Sequence, residues 1–399
     1  MRSRDPLVQA KRPRDPRIDA FRGLALIMIF VDHVPGNPYE RFTMRNFGFS
    51  DAAESFFVMS GIAAGLAYSG RFLPGAVARD GLWAAVRPVW GRAWTLYLSH
   101  LFLTAWAIAI FAWGAATFDL PKLLTTINLR QVFENTEAAL IGLPALTHQL
   151  GYVNILPAYS VLLLCTPVAI VIGLRSPLVL ALLAAGLWFA AGLWRLNLPN
   201  YPNPGGWFFN PVAWQAIFVT GLLIGLRLRA GARLLPVSRP LFWLAAGYLV
   251  LVIAWMKVEP LGHWLNQQLW HLGKAGAPFH LIAHDKTFLS LPRLLHVLAM
   301  VYVISCLPAV TRMAASAAAA PLRLMGRNGL LTFATGTLVA LVFQVAFAAW
   351  PDTVWLRWGL PPLGIAAMLA AATLAEAARR GPRRVQGREG TAPHAVPAE

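Results

Sequence analysis

Hydrophobic runs long enough to cross a bilayer recur along the whole chain, and they limit the fold more than any single motif does. The hydrocarbon core of a bilayer is about 30 Å thick, so a helix needs roughly 20 predominantly apolar residues to cross it. Only helices and closed barrels satisfy every backbone polar group in lipid. The short alternating segments of a barrel are not seen in this sequence. We therefore predict an all-α, polytopic integral membrane protein.

Ten segments are predicted to cross the membrane, at approximately 18–34, 51–69, 93–115, 151–173, 177–194, 211–227, 241–257, 291–311, 328–350 and 354–376. If the N-terminus is cytoplasmic, the connections on that side contain most of the Lys and Arg residues. This is the positive-inside pattern, and it places both termini in the cytoplasm. We expect a basic cytoplasmic segment (1–17), a single transmembrane domain (18–376) and a disordered, Arg-, Gly- and Pro-rich cytoplasmic tail (377–399).

The composition argues against several other classes of protein. With 57% hydrophobic and 13% charged residues, the chain is unlike an ordinary soluble protein. Its net charge of +17 follows from the topology, so we expect no nucleic-acid partner. Cys165 and Cys306 fall inside predicted spans, where lone thiols pack in the core. His280 and His284 have the i,i+4 spacing of metal ligands, but no acid triplet or cysteine set nearby completes such a site.

The first predicted span carries charged residues on one face. Arg22 and His33 have ten residues between them, which on a helix is about 1100° of rotation and roughly 16 Å of rise. Asp19, three residues before Arg22, shares that face. Lipid rejects such a stripe, so it should face the bundle interior or a water-filled cavity.

The second predicted span begins with two acidic residues whose role the spacing leaves open. Asp51 followed by Glu54 has the pattern of a capping box, which would satisfy backbone N–H groups at the start of a helix. Glu54 also lies one turn inside a hydrophobic helix, and an ionisable residue there is functional by default.

Several motifs occur together between about residue 15 and about residue 345. They are Arg17-Ile-Asp19-Ala-Phe-Arg22-Gly, Asp32-His33, Arg45-Asn-Phe-Gly-Phe-Ser-Asp51-Ala-Ala-Glu54, Ser60-Gly61, Ile155-Leu-Pro157, the segment Trp207 to Gln215, Asp285-Lys286-Thr287, Arg293-Leu-Leu-His296 and Gly326-Arg327. This set resembles the OpgC family, membrane proteins linked to succinylation of osmoregulated periplasmic glucans. That family is similar to the wider acyltransferase-3 group, in which an arginine and a histidine ten residues apart on the first span mark the active site. Arg22 and His33 match that motif.

The resemblance implies a multi-pass O-acyltransferase of the bacterial inner membrane. Its donor would be a cytoplasmic acyl-CoA co-substrate, with succinyl-CoA favoured, and it would need no bound cofactor and no metal. Its acceptor would be a hydroxyl group on a periplasmic glucan. Membrane lipids and the glucan synthesis machinery are the other implied partners.

The resemblance also implies roles for individual residues. His33 would act as a general base or as a transient acyl carrier, because a sugar hydroxyl needs a base near neutral pKa. Glu54 or Asp32 would fix its tautomer, and Arg22 would bind the donor or the developing oxyanion. The expected substrate-binding residues all lie in the matching motifs: Asp19, Arg45, Asn46, Asp51, Trp207, Lys286, Arg293, His296 and Arg327.

Other functions remain open at the level of sequence. Acetyl transfer by the same mechanism is the nearest alternative. Ten spans with buried polar groups are also compatible with a transporter or flippase for a polysaccharide or lipid-linked sugar, although no inverted repeat is visible. A non-catalytic glucan-binding partner of a synthesis complex is a third class, and an intramembrane Arg–His–Glu cluster that only locks helices together is the structural alternative.

Overall fold

The computed structural model describes residues 15–380, so most of the predicted N-terminal segment and C-terminal tail lies outside the described range. The described residues form seventeen α-helices and no β-strand. In chain order these are α1 (Pro16–Asp32), α2 (Ala52–Tyr68), α3 (Pro74–Asp80), α4 (Leu82–Thr117), α5 (Arg130–Glu134), α6 (Thr136–Gly142), α7 (Ile155–Arg175), α8 (Pro177–Leu193), α9 (Pro211–Arg229), α10 (Arg239–Lys257), α11 (Glu259–Lys274), α12 (Phe279–Ile282), α13 (Leu291–Cys306), α14 (Pro308–Ala315), α15 (Ala320–Arg327), α16 (Gly329–Ala349) and α17 (Val354–Arg380). The all-α prediction is confirmed.

Nine of the ten predicted spans each overlap one helix, and these are α1, α2, α4, α7, α8, α9, α10, α16 and α17. The remaining span, 291–311, covers α13 and the start of α14. Within residues 15–380, six helices are long and apolar enough to cross a membrane, and eight are if α2–α3 and α13–α14, bent by 61° and 80°, each count as one span. The membrane class is therefore supported, whereas ten spans and two cytoplasmic termini stay predictions. The two remaining helices, α1 and α8, have 17 residues each. That is about 26 Å of rise, slightly less than the hydrocarbon thickness.

Three of the longer connections between predicted spans contain helical segments. The basic segment 70–92 contains α3 and the first eleven residues of α4, which runs for 36 residues. Helix α4 thus begins before the predicted start at residue 93 and continues through Pro88. The two long connections, 116–150 and 258–290, contain α5 and α6, and α11 and α12, respectively.

The centre of the bundle is the packing of α2 against α9. A Cβ at Gly61 would meet the backbone oxygen of Phe218, and one at Gly221 would meet the backbone oxygen of Val58. Small residues at these positions let two helix backbones approach closely, as is common in membrane bundles. Because α9 is also among the most buried of the apolar helices, it holds α2 in a fixed position at the centre.

The chain between α1 and α2 brings the end of one helix next to the beginning of the other. His33 is the C-cap of α1, and Gly36 follows with a positive φ of 64°. Two short 3₁₀-helices, Pro38–Phe42 and Met44–Asn46, lead to Asp51, the N-cap of α2. The last residues of α1 and the first of α2 therefore lie at the same end of the bundle, which we call the α1–α2 end.

Candidate active site

A cavity of about 720 Å³ opens at the α1–α2 end of the bundle. Its wall combines charged groups with aromatic rings drawn from distant parts of the chain. The charged and imidazole side chains are those of Asp32, His33, Arg45, Asp51, His284, Lys286 and Arg293, and the aromatic ones are those of Phe49, Tyr152, Phe208, Phe209 and Phe333. Aromatic faces beside charged groups suit a polar ligand with apolar faces, such as a sugar.

His33 is held with one ring nitrogen directed at its own helix. Its Nδ1 contacts the backbone oxygen of Ile29, one turn earlier in α1. A carbonyl oxygen only accepts, so Nδ1 carries the proton in the neutral ring. The lone pair then lies on Nε2, for which no described residue provides a hydrogen-bond partner. His33 is therefore in the tautomer that a general base facing the cavity requires.

Two further residues contact His33. The side-chain amide of Gln344, in α16, donates from Nε2 to the backbone oxygen of His33 at 3.0 Å. The ring of Tyr152 meets the His33 ring edge to face, with centroids 4.2 Å apart and planes at 88°. Tyr152 lies in the loop before α7, where burial raises the pKa of its hydroxyl above the ordinary value although the Gln344 side chain lowers it. The hydroxyl is therefore protonated at neutral pH.

Asp32 lies beside His33 and lines the same cavity. Its carboxylate oxygen Oδ1 is shielded from solvent, and no donor among the described residues reaches it. A buried acceptor without a donor is uncommon in native proteins. It therefore marks a position where a ligand hydroxyl could bind.

A cluster of four charges joins the start of α2 to the segment before and within α13. Lys286 Nζ contacts Asp51 Oδ2, and Arg293 Nη2 lies 3.5 Å from the same oxygen. Arg293 Nε donates to Glu54 Oε1 at 2.8 Å, and Glu54 is fully buried. Burial alone would raise the pKa of the Asp51 carboxyl, but the charges of Lys286 and Arg293 outweigh it and hold that pKa below its ordinary value.

The same two carboxylates also start α2. The Asp51 side chain accepts from the N–H of Ala53, and Glu54 Oε2 accepts from the N–H of Asp51 at 2.9 Å. The capping box is thus confirmed, and Glu54 is both a cap and an ion-pair partner. Its predicted contact with His33 is not found. The backbone oxygen of Ile29, rather than Glu54 or Asp32, contacts the His33 ring nitrogen that was expected to need a carboxylate.

Behind this cluster, His296 fastens the loop that precedes α2. Its Nδ1 shares a hydrogen bond of 2.5 Å with the hydroxyl of Ser50, and both residues are buried. The His296 ring lies against Gly48, where a Cβ would collide with it. His296 does not line the cavity, so its contacts support the site rather than form its surface.

The profile of the family described as OpgC protein matches residues 14–380. The chain belongs to the OpgC family. The match covers most of the 399 residues, and it implies a transferase that modifies glucans by acylation, in keeping with the apolar helices of a membrane protein. No curated protein and no solved structure matches the chain.

In this OpgC chain, six of the predicted site residues line one cavity: Asp32, His33, Arg45, Asp51, Lys286 and Arg293. Two more, Glu54 and His296, lie directly behind it. Asn46 is near its edge, where its side-chain oxygen accepts from Lys257. Trp207 is buried in the connection between α8 and α9 and donates to the backbone oxygen of Pro199, so its ring belongs to a folded loop and not to the cavity wall.

Three predicted residues lie near the other end of the bundle. Arg22 directs Nη1 to the backbone oxygen of Gly326 at 3.5 Å and Nη2 to that of Met59 at 3.4 Å. Asp19 is buried where α15 packs closely on α1, and Arg327 is exposed at the end of α15. The stripe on α1 therefore does not form one compact site.

A narrow apolar space connects the level of Leu26, one turn beyond Arg22, with His33. It is lined by α1, Tyr152, α16 and Met368 of α17, and its volume of about 10 Å³ is close to the minimum for one water molecule. In the described conformation this space is closed to anything larger.

Tyr152, Gln344, Phe208 and Phe209 were not predicted as site residues. Gln344 lies in a hydrophobic helix and carries no recognisable motif, so only the packing of α16 against α1 reveals it. A buried glutamine in an apolar run was the available signal.

His280 is buried between Trp188 and Phe189, whereas His284 stacks near Phe49, so the two histidines occupy different aromatic surroundings.

Proposed function

We propose that this protein transfers a succinyl group from cytoplasmic succinyl-CoA to a hydroxyl group of a periplasmic glucan, with His33 as the general base. The observation that carries this proposal is the arrangement of His33. Its Nδ1 is engaged by Ile29, and its Nε2 has no partner in the described structure beside a cavity with aromatic and charged walls. A transporter needs no such histidine tautomer.

In the proposed reaction, the acceptor hydroxyl binds with its oxygen near His33 Nε2. The oxygen attacks the thioester carbonyl carbon, a C–O bond forms, and the hydroxyl proton moves to Nε2. The C–S bond then breaks, and the proton on His33 passes to the leaving thiolate, which restores the neutral ring. No other reactant is needed, and the ester and the free thiol balance the starting alcohol and thioester.

Asp32 is proposed to bind the acceptor. Its Oδ1 is buried without a donor, and a neighbouring sugar hydroxyl would supply one. Such a bond would hold the sugar near His33, because Asp32 and His33 line the same cavity. Phe208 and Phe209 provide apolar surfaces on the same wall.

Arg45 is proposed to favour a succinyl group over an acetyl group. It lines the cavity, is exposed, and forms no ion pair within residues 15–380, while Lys286 and Arg293 are already paired. A distal carboxylate on the acyl group would provide its partner through a charge-assisted hydrogen bond. An acetyl group has no such carboxylate.

Arg22 is proposed to bind the donor from the other side of the membrane. The apolar space between Leu26 and His33 lies along the line from Arg22 to the cavity. Because that space is closed, the transfer of an acyl chain along it requires α16 or α17 to move. The basic residues of the predicted cytoplasmic side would attract the phosphates of the donor.

The test is mass analysis of periplasmic glucans from cells that express the parent protein, the His33→Ala variant or neither, with the protein level measured in each. We expect succinylated glucan only with the parent protein. A lost general base typically lowers a rate by about 10²–10⁴-fold. Full succinylation with His33→Ala would refute the mechanism. Acetylated glucan with the parent protein would show that the donor is acetyl-CoA and not succinyl-CoA.

A further inference from the structure

The orientation of the His33 ring depends on the residues packed around it. It is the residue that caps the C-terminus of α1, and helix ends fray. Its Nδ1 contact with Ile29 holds only one side of the ring. For Nε2 to face a bound hydroxyl, both the backbone of residue 33 and the rotation of its ring must be fixed.

Gln344 lies where it can fix both the backbone of residue 33 and the rotation of the His33 ring. It is nearly buried in α16, and its Nε2 donates to the backbone oxygen of His33 at 3.0 Å. Its side chain also interacts with the hydroxyl of Tyr152, whose ring meets the His33 ring at 4.2 Å. The amide nitrogen carries two N–H groups, so it can serve both the His33 carbonyl and the oxygen of Tyr152. One amide therefore connects to the backbone of His33 and, through Tyr152, to its ring.

Tyr152 is held in a conformation that needs outside support. Its φ of 73° lies in the left-handed region, which a non-glycine residue adopts only where the surrounding structure imposes it. The neighbouring backbone is anchored from two sides. The N–H of Gly151 donates to the oxygen of Ile127 at 2.9 Å, and Nδ1 of buried His100 lies 3.3 Å from the oxygen of Val153.

From these contacts we propose that Gln344 is a positioning residue that sets the orientation of the His33 imidazole through Tyr152 and through the backbone of residue 33. Gln344 does not line the cavity, so it acts on the reaction through these two residues and not by touching substrate. The proposal rests on the proposed role of His33 as the base. Misplacement of a reacting group by about 1 Å can cost about 10²-fold in rate, which is the scale on which such a residue would act.

The experiment compares four variants with the parent protein in liposomes that contain the acyl-CoA donor and a glucan acceptor. Gln344→Leu removes the amide, Tyr152→Phe removes only the hydroxyl and keeps the ring, and the third variant combines both changes. Gln215→Leu is the matched control, because Gln215 is also buried and also donates from Nε2 to a backbone oxygen, that of Ala184. It contacts neither His33 nor Tyr152.

We expect Gln344→Leu to lower kcat by about tenfold or more, with KM for donor and acceptor within about twofold of the parent, because the base is misplaced and substrate contacts are kept. Tyr152→Phe should lower kcat by a smaller factor. The double variant should be no worse than Gln344→Leu by more than about twofold, since the hydroxyl acts through the amide. Gln215→Leu should retain kcat within about twofold of the parent.

A kcat for Gln344→Leu equal to that of Gln215→Leu would overturn the proposal, and so would a loss confined to KM. If Gln344→Leu does not accumulate in the membrane, Tyr152→Phe decides, and an unchanged kcat there is also a refutation. His33→Ala, assayed in parallel, separates the two proposals. An active His33→Ala variant means that the proposed base is wrong, whereas an inactive His33→Ala with an unaffected Gln344→Leu means that only the positioning role is wrong.

Discussion

The buried ion pair between Glu54 and Arg293 gives a prediction whose size can be worked out from the structure. Glu54 has no exposed surface, and the side chain of Arg293 is only 12% exposed. Arg293→Met fills a similar volume but leaves the Glu54 carboxylate without its main partner. Removal of one member of a buried pair typically costs about 3–5 kcal/mol, because the remaining charge stays desolvated.

Glu54→Gln should lower the free energy of unfolding by less than Arg293→Met does. The amide oxygen can still accept from the N–H of Asp51, which preserves that half of the capping box. Arg293 also keeps a carboxylate within reach, because Asp51 Oδ2 lies 3.5 Å from its Nη2. We expect a loss of about 1–3 kcal/mol, the usual range for one unsatisfied buried hydrogen-bonding group.

The double variant completes the thermodynamic cycle. With both charges removed, no carboxylate of Glu54 is left unpaired. The double variant should therefore lose less free energy of unfolding than the sum of the two single losses, by at least about 1 kcal/mol. The assay is equilibrium unfolding by denaturant in detergent micelles, followed by far-ultraviolet circular dichroism. Additive losses would refute the pairing, and so would an Arg293→Met variant as stable as the parent. Lys286→Met, at a more exposed pair, is the control that should lose less than Arg293→Met.

Three further predictions concern the donor, the acyl group and the topology. Arg22→Lys should lower acyl transfer by about tenfold at matched abundance, because an ammonium cannot reach the two backbone oxygens that the planar guanidinium faces; equal glucan acylation would instead indicate a charge that serves topology alone. Arg45→Ala should reduce kcat/KM for the succinyl donor by about 10–100-fold, since one charge-assisted hydrogen bond is lost, and leave kcat/KM for the acetyl donor within about twofold. Arg41→Ala, which removes an exposed arginine outside the cavity wall, is the control. Equal losses for both donors would contradict the proposed selectivity. Fused reporters should be active as cytoplasmic at Ala230 and at the C-terminus and as periplasmic at Gly273, and a cytoplasmic signal at Gly273 would refute the ten-span topology.

The sequence alone was sufficient to predict the features that depend on residues close together in the chain. Hydrophobic runs separated by turn residues predict where helices form, and nine of the ten predicted spans each overlap one helix, whereas 291–311 covers the bend between α13 and α14. The Asp51–Glu54 spacing predicts the capping box because a cap is formed within one turn. The boundary of α4 was missed, since Pro88 and Gly91 are local signals of a helix end and yet the helix continues through both.

The tertiary structure decided which of these residues meet. Glu54 is paired with Arg293, 239 positions away, and not with His33, which the sequence resemblance had suggested. Gln344 reaches His33 across 311 positions, and a glutamine in an apolar run does not by itself indicate that partner. Such contacts follow from the way α1, α2, α13 and α16 pack together in the bundle and not from any local pattern. Helix formation is a local property of this sequence, whereas the orientation of its proposed base is a property of the packed bundle.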